Sequence, residues 1–211
     1  MSHPDTRQRI LTAAERLFAL RGFHATSLRA ITQEAGANLA AVNYHFGCKE
    51  ALLDEVLARR LGPLNQIRTH RLDLVEKEAA AANRPPGLQA LWRAFVEPTL
   101  SLRRTDSGSE HFLALVGQAL AQPRGEVMEV FMRQMAPMFL RLFELTCRAL
   151  PDMPRQLLFW RVHFAIGSLS HLMRCNDQSP VMPPGVSSTV EVDALTDMLI
   201  DYTLAGLEAP Q

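Results

Sequence analysis

The sequence predicts an all-α fold, an N-terminal helix-turn-helix three-helix bundle followed by a helical domain. Three observations carry that reading. Apolar residues recur at three- and four-residue spacing in nearly every segment of the 211-residue chain. No segment sustains the period-two alternation and β-branched enrichment of a strand. Glycines and prolines sit at the ends of the periodic segments, where a left-handed residue or a missing N–H stops a helix. Hydrophobic residues make up 47% of the chain, enough to bury a core and too many for a disordered polymer.

The elements follow in order. Pro4 to Arg21 forms the first helix, with Asp5 and Gln8 spaced as a capping box and Ile10, Ala14, Leu17 and Phe18 on one apolar face. Gly22 ends it. Thr26 or Ser27 caps a short second helix that carries Leu28, Ile31 and Ala35 and stops at Gly36. Asn38 caps a third, Leu39 to His45, which Gly47 ends. A fourth starts at Lys49 and turns Leu52, Leu53, Val56, Leu57 and Leu61 inward; Gly62-Pro63 is expected to break or kink it. Longer helices are expected at Gly87–Arg103, Glu110–Ala121, Gly125–Leu150, Pro154–Cys175 and Thr189–Leu207. Loops are expected at Ala79–Pro86, Arg104–Ser109 and Asn176–Ser188. The domains divide as residues 1–61 and 62–211.

Several function classes are disfavoured. The longest charge-free apolar stretches, such as Phe112 to Pro123, fall short of a bilayer span, and the first nine residues lack the apolar run of a secretory signal. A cytoplasmic protein with no membrane partner is expected. Cys48, Cys147 and Cys175 form no CxxC pair and no zinc-finger spacing, which suits free thiols in a reducing compartment. His163, His171 and Cys175 share one helix at i, i+8 and i+12, but only the last two have ligand spacing, so no metal is expected and no cofactor either. There is no GxSxG, HExxH, P-loop or Gly-rich dinucleotide fingerprint, and the chain reads as no enzyme.

Leu28–Ala35, the turn around Gly36 and Leu39–His45 form a helix-turn-helix pattern in which Ile31, Ala35 and Val42 are spaced to pack inward. That leaves the outer face of the second helix to enter a major groove. Thr26-Ser27-Leu28-Arg29-Ala30-Ile31, then Glu34-Ala35-Gly36, then Asn43 through Leu52 resemble the TetR-family DNA-binding domain. Ile10 through Phe18, followed by Arg21-Gly22-Phe23, is similar to that family's first helix, and the match covers about residues 7 to 60. Asn38 through Gly47, with Leu61-Gly62-Pro63 and Phe159 through Phe164, resembles the PsrA-like branch. The resemblance implies a homodimeric transcriptional regulator, most often a repressor, on a palindromic operator. It also implies a small apolar effector, in that branch a long-chain fatty acid or its thioester.

Chemistry assigns roles within this frame. Asn38 and Asn43 suit base edges or phosphates, and Leu39 and Ala40 suit thymine methyls. Tyr44 offers a hydroxyl and Lys49 a charge to phosphate, while Thr26, Ser27 and Arg29 are placed to touch the DNA backbone. Cys48 stands where the family commonly has a capping Ser or Thr; beside Lys49, such a thiol is a candidate redox group or a tolerated replacement.

In the C-terminal domain, Met128, Phe131, Met135 and Phe139 form a stripe that suits either a bundle core or a pocket for a flexible acyl chain. Trp92, Phe112, Leu115, Trp160 and Phe164 are further lining candidates, and Arg93, Arg133 and Arg161 are candidates for an acyl head group. The last two helices are expected to form a dimer bundle through Ala165, Ser168, Leu195, Leu199 and Tyr202. Two other readings stay open: a helical acyl-handling enzyme, and a DNA-binding activator or architectural protein without an effector.

A formal net charge of zero argues at first against nucleic acid. It is an average. Residues 1–60 carry eight basic and six acidic side chains, whereas residues 175–211 carry six acidic groups and no Lys or Arg. A mildly basic beginning and an acidic end leave room for DNA, with specificity resting on geometry and base contacts.

Overall fold

The computed structural model describes residues 6–102, 107–121, 124–174, 183–185 and 190–210. Among them the chain forms nine helices and no strand. These are α1 (Thr6–Arg21), α2 (Leu28–Ala35), α3 (Leu39–Phe46), α4 (Lys49–Ala81), α5 (Leu88–Ser101), α6 (Ser107–Ala121), α7 (Glu126–Ala149), α8 (Arg155–Arg174) and α9 (Val192–Leu207). The expected capping box at Asp5, the loop start at Arg104, Cys175 and most of Asn176–Thr189 lie outside the described residues.

Helix α4 departs from the expectation that Gly62-Pro63 interrupts it. It runs on to Ala81 with Pro63 inside. A proline forfeits one backbone hydrogen bond and crowds the preceding turn, but here Leu61 and Leu64 are both buried, so apolar packing on either side holds the segment to helical geometry. Pro98 in α5 and Pro137 in α7 are likewise carried within helices.

The residues group into two compact units, Met1–Pro63 with Asp106–Met135, and Leu64–Thr105 with Ala136–Gln211. The expected division after residue 61 runs along the chain; the observed grouping instead returns a later segment to the first unit. The physical reason is that α6 packs on α1. Gln118 Nε2 donates to the Ala19 carbonyl (2.7 Å), satisfying a carbonyl in the last turn of α1. Gln134 of α7 donates to the Asp54 carbonyl (2.8 Å).

In the first unit α1 is the central element, touching α2, α3 and α6. Ile10, Leu11, Leu17 and Phe18 are buried, as are Ile31 of α2, Val42 of α3 and Leu52, Leu53 and Leu57 of α4. Charge adds direction to this packing. Glu15 is almost fully buried in α1 and its carboxylate is held by Arg59 and by Arg60 (3.0 Å). Arg16 pairs with Glu34 of α2 (2.6 Å), and Arg7 with Glu55 of α4 (2.8 Å).

In the second unit α5 and α8 both pack on α9. Leu91, Trp92, Phe95 and Leu100 of α5 are buried with Leu72, Leu142, Leu158 and Ile200. Arg93 reaches Asp197 of α9 (2.7 Å). Arg161 of α8 donates to the carbonyls of Leu207 (2.8 Å) and Ala209 (2.7 Å), closing the exposed end of α9. Arg141 and Arg148 converge on Glu76 (2.7 and 2.6 Å), and the Arg141 hydrogen bond holds that carboxyl below the usual carboxylate range.

Glu15 gives the first prediction. Glu15→Ala removes a buried acceptor shared by two guanidinium groups that are themselves only about a quarter exposed. Urea unfolding is expected to show a loss of about 2 kcal/mol, whereas Arg16→Ala, at the more exposed pair with Glu34, is expected to change stability far less. Equal losses in the two variants would contradict a rivet role for Glu15.

Candidate nucleic-acid interface

The turn between α2 and α3 positions everything on the DNA-facing surface. Gly36 adopts φ +57°, the left-handed region that an L side chain occupies at a cost, and Ala37 N–H closes the helix end on the Thr32 carbonyl (2.9 Å). Arg9 of α1 braces the same turn: its guanidinium donates to the Gly36 carbonyl (3.3 Å) and to Thr6 Oγ1 (3.2 Å). Sequence reasoning missed Arg9, because its target lies 27 residues away. Ser27 caps α2 by accepting from Ala30 N–H (3.1 Å), and Asn38 caps α3 by accepting from Ala41 N–H (2.8 Å). Ile31, Ala35 and Val42 are buried as the spacing predicts.

With that face committed inward, the opposite face of α3 is open. Leu39, Ala40, Asn43 and Tyr44 are all exposed, Tyr44 at 86%. They stand at i, i+1, i+4 and i+5, which is one strip of a helix. The strip combines two apolar contacts, an amide and a phenol, and carries no acidic group. Tyr44 is steadied by the His45 ring, with centroids 5.0 Å apart. Phe46 turns inward and receives Arg7 over its ring at 5.5 Å. Ser27 and Arg29 are exposed at the front of α2.

Thr26 does not join this surface. It is 1% exposed, and its hydroxyl donates to the carbonyls of Leu17 (3.1 Å) and Gly22 (2.8 Å). A threonine before a cap can point either way in sequence; here two carbonyls of α1 and its turn draw it inside. Lys49 is half-buried, with Nζ 4.3 Å above the Phe23 ring, and burial pushes its ammonium down from the ordinary value. Cys48 is exposed and its sulfur accepts from Ala51 N–H (3.4 Å), so the thiol occupies the hydroxyl's capping place.

The residues expected around an effector separate. Phe112, Leu115, Phe131 and Met135 are buried in the first unit, with Met128 half-buried there. In the second unit Trp92 is buried and Phe139 half-buried, and both lie near Phe95, whose ring centroid is 6.5 and 6.0 Å from theirs. Trp160 (51% exposed) and Phe164 (67% exposed) instead face outward from α8, because Leu158, Val162, Ala165 and Leu169 supply its inward face. Arg93, Arg133 and Arg161 are engaged by Asp197, Asp54 and the carbonyls after α9. Of the expected dimer contacts, Ala165 and Leu199 are buried within the chain itself, Ser168 and Leu195 are half-buried, and Tyr202 is exposed. His163 stacks on Phe159 with centroids 4.2 Å apart, and no cluster of potential metal ligands occurs among the described residues.

Residues 10–56 match the family profile described as "Bacterial regulatory proteins, tetR family". Residues 93–206, more than half of the chain, match "Tetracyclin repressor-like, C-terminal domain". The chain belongs to the TetR family. It is therefore a DNA-binding transcriptional regulator and not an enzyme. The regulator SrpR of Pseudomonas putida is 31% identical over 136 residues, 58% of this chain and 64% of SrpR. The regulator LmrA of Bacillus subtilis is 47% identical over 58 residues, 27% of this chain and 31% of LmrA. The chain thus spans less than two thirds of either curated relative. Two solved structures share the fold over nearly the whole chain. NalD, the secondary repressor of the MexAB-OprM multidrug efflux pump in Pseudomonas aeruginosa, has TM-score 0.66 and 24% identity, covering 98% of each chain. The fatty acid degradation regulator FadR from Bacillus halodurans has TM-score 0.65 and 15% identity, covering 99% of each. No helix among the described residues is long and apolar enough to cross a membrane.

The inward position of Thr26 makes a prediction that separates packing from DNA contact. Thr26→Val deletes two buried hydrogen bonds and is expected to lower the unfolding free energy by about 1–2 kcal/mol, with most of it retained in Thr26→Ser. Thermal melts of the two variants decide the matter; a valine variant as stable as the parent protein would place the hydroxyl's role elsewhere.

Proposed function

We propose that this TetR-family regulator is a ligand-responsive repressor that binds a two-fold operator as a homodimer. The observation that carries the reading is the exposed strip Leu39, Ala40, Asn43 and Tyr44 on α3, backed by capped and glycine-turned geometry. In a major groove Asn43 would read an adenine edge and Leu39 with Ala40 would meet thymine methyls. Tyr44, Ser27, Arg29, Asn38 and Lys49 would hold phosphates and set register. Thr26 acts indirectly, by fixing the start of α2.

Dimerisation is supported by what α8 and α9 leave uncovered. Trp160, Phe164, Met198 and Tyr202 are four large apolar or aromatic side chains exposed on two helices that pack together. Such a face suits a second copy of itself. A two-fold pair would present two α3 helices to half-sites about 34–36 Å apart. The likeness of residues 93–206 to tetracycline-repressor C-terminal domains favours repression. An apolar effector, a fatty acid or its thioester, follows from the PsrA-like resemblance. It accords with a fold neighbour, FadR, that is a regulator of fatty acid degradation. The ligand must bind the conformation that has released DNA more tightly, since equal affinity shifts nothing.

Selection of genomic fragments by the purified protein identifies the operator, and its binding is then measured across a salt series with and without oleate. Release by oleate supports the proposal; salt-sensitive binding indifferent to every ligand supports an activator or architectural role instead. Asn43→Ala is expected to cost about 1–3 kcal/mol of operator affinity and to relax preference at one base pair. Arg29→Ala is expected to weaken all sequences alike and to reduce the salt slope by about 1. Phe164→Glu is expected to sediment as a monomer and to lose operator binding; a dimeric variant would remove α8 from the interface.

A further inference from the structure

Along α4 the residues Leu61, Leu64, Arg68 and Leu72 occupy one helical row, and the structure buries all four. A guanidinium therefore sits in register with leucines, at 2% exposure, inside the second unit. Burial pushes its pKa down to about 9, which still leaves it a cation near neutrality. Among its hydrogen bonds, those to Asn65 Oδ1 (2.8 Å), Thr99 Oγ1 (2.6 Å) and the Phe95 carbonyl (3.3 Å) all go to neutral acceptors. Thr99 is in turn fixed by donating to the same Phe95 carbonyl (3.0 Å). The guanidinium lies over the Phe95 ring at 4.2 Å. Neutral partners orient such a group and leave its positive charge in place.

A second observation on α5 points the same way. Trp92 is 1% exposed, and its indole N–H is buried with no hydrogen-bond partner. A buried donor left unmade is costly, so its presence calls for a reason. Trp92, Phe95 and Thr99 stand at i, i+3 and i+7, one face of α5, and the rings of Trp92 and Phe95 meet edge-on. Phe139 of α7 extends this aromatic wall. A fixed cation, an open N–H donor and an aromatic wall make a set with positive and donor character, surrounded by hydrocarbon.

We propose that Arg68 and Trp92 bind the carboxylate of an amphipathic organic acid, with its hydrocarbon part along Phe95 and Phe139. This rests on the effector reading above and names the chemistry of that effector: an anionic head on an apolar body, recognised in the core of the second unit. The carboxylate accepts from the Arg68 guanidinium and from Trp92 Nε1. The acid is thereby distinguished from the alcohol or ester of the same chain, which offers no charge to the guanidinium.

The test is calorimetric titration of the full chain with dodecanoate and with dodecanol, alongside operator release by each. The unmodified protein is expected to bind the acid at least about tenfold more tightly than the alcohol. Arg68→Gln is expected to remove that preference while keeping the alcohol's affinity, and Trp92→Phe to reduce it severalfold. If Arg68→Gln does not fold, as judged by circular dichroism, Trp92→Phe decides alone, since it deletes the N–H and keeps an aromatic ring. Equal affinity for acid and alcohol in the unmodified protein, or an undiminished acid preference in the variants, overturns the assignment. Dodecanoate releasing operator equally from the parent and from Arg68→Gln overturns Arg68 while leaving the effector reading intact. Acid-selective binding that leaves operator affinity unchanged upholds the site and counts against the effector reading.

Discussion

Helix α1 must satisfy three neighbours at once, and the geometry of the DNA-facing surface depends on that constraint. Its apolar face, Ile10, Leu11, Leu17 and Phe18, is buried within the first unit, where α2, α3 and α6 all touch it. Non-directional packing of this kind would allow α2 and α3 to slide. Directional contacts remove the freedom: Arg9 on the Gly36 carbonyl, Arg16 on Glu34, Thr26 on Leu17 and Gly22, and Glu15 between Arg59 and Arg60. Each ties a residue of α1 to a place that decides where α3 points. The strip on α3 is therefore presented by a rigid support, which base readout requires because hydrogen bonds to base edges tolerate little misplacement.

Two buried charges show opposite solutions to one problem. Glu15 is desolvated and compensated by two guanidinium groups, so it acts as a structural rivet whose value lies in orientation more than in net stability. Arg68 is desolvated beside neutral acceptors and aromatic rings, where the charge is oriented but not consumed. The first arrangement belongs to architecture. The second is the kind of preorganised charge that recognition uses, because the solvation cost has been met by folding before any ligand arrives.

The zero net charge fits this division of labour. Many arginines in the second unit are engaged within it: Arg93 on Asp197, Arg141 and Arg148 on Glu76, Arg155 on Glu144. Long-range attraction to a polyanion is correspondingly modest. A regulator of this composition gains its discrimination from the shape and chemistry of α3 and from two-fold pairing, with weaker help from bulk electrostatics.

The sequence by itself determined the helices, their caps and the inward residues of the helix-turn-helix, because these depend on contacts within a few positions of one another. Ser27, Asn38 and Gly36 were legible for that reason, and so was the outward strip of α3, the complement of Ile31, Ala35 and Val42. Tertiary structure decided what depends on distant partners. It drew Thr26 inward to carbonyls of α1, carried α4 through Pro63 on buried leucines, returned α6 to the first unit and left Trp160 and Phe164 outside. It also chose Arg68, whose place in a row of leucines was visible in the sequence, over the three arginines that surface pairing had already claimed. Helical periodicity says which residues share a face; only the packed partner says whether that face, and the charge on it, is wet or dry.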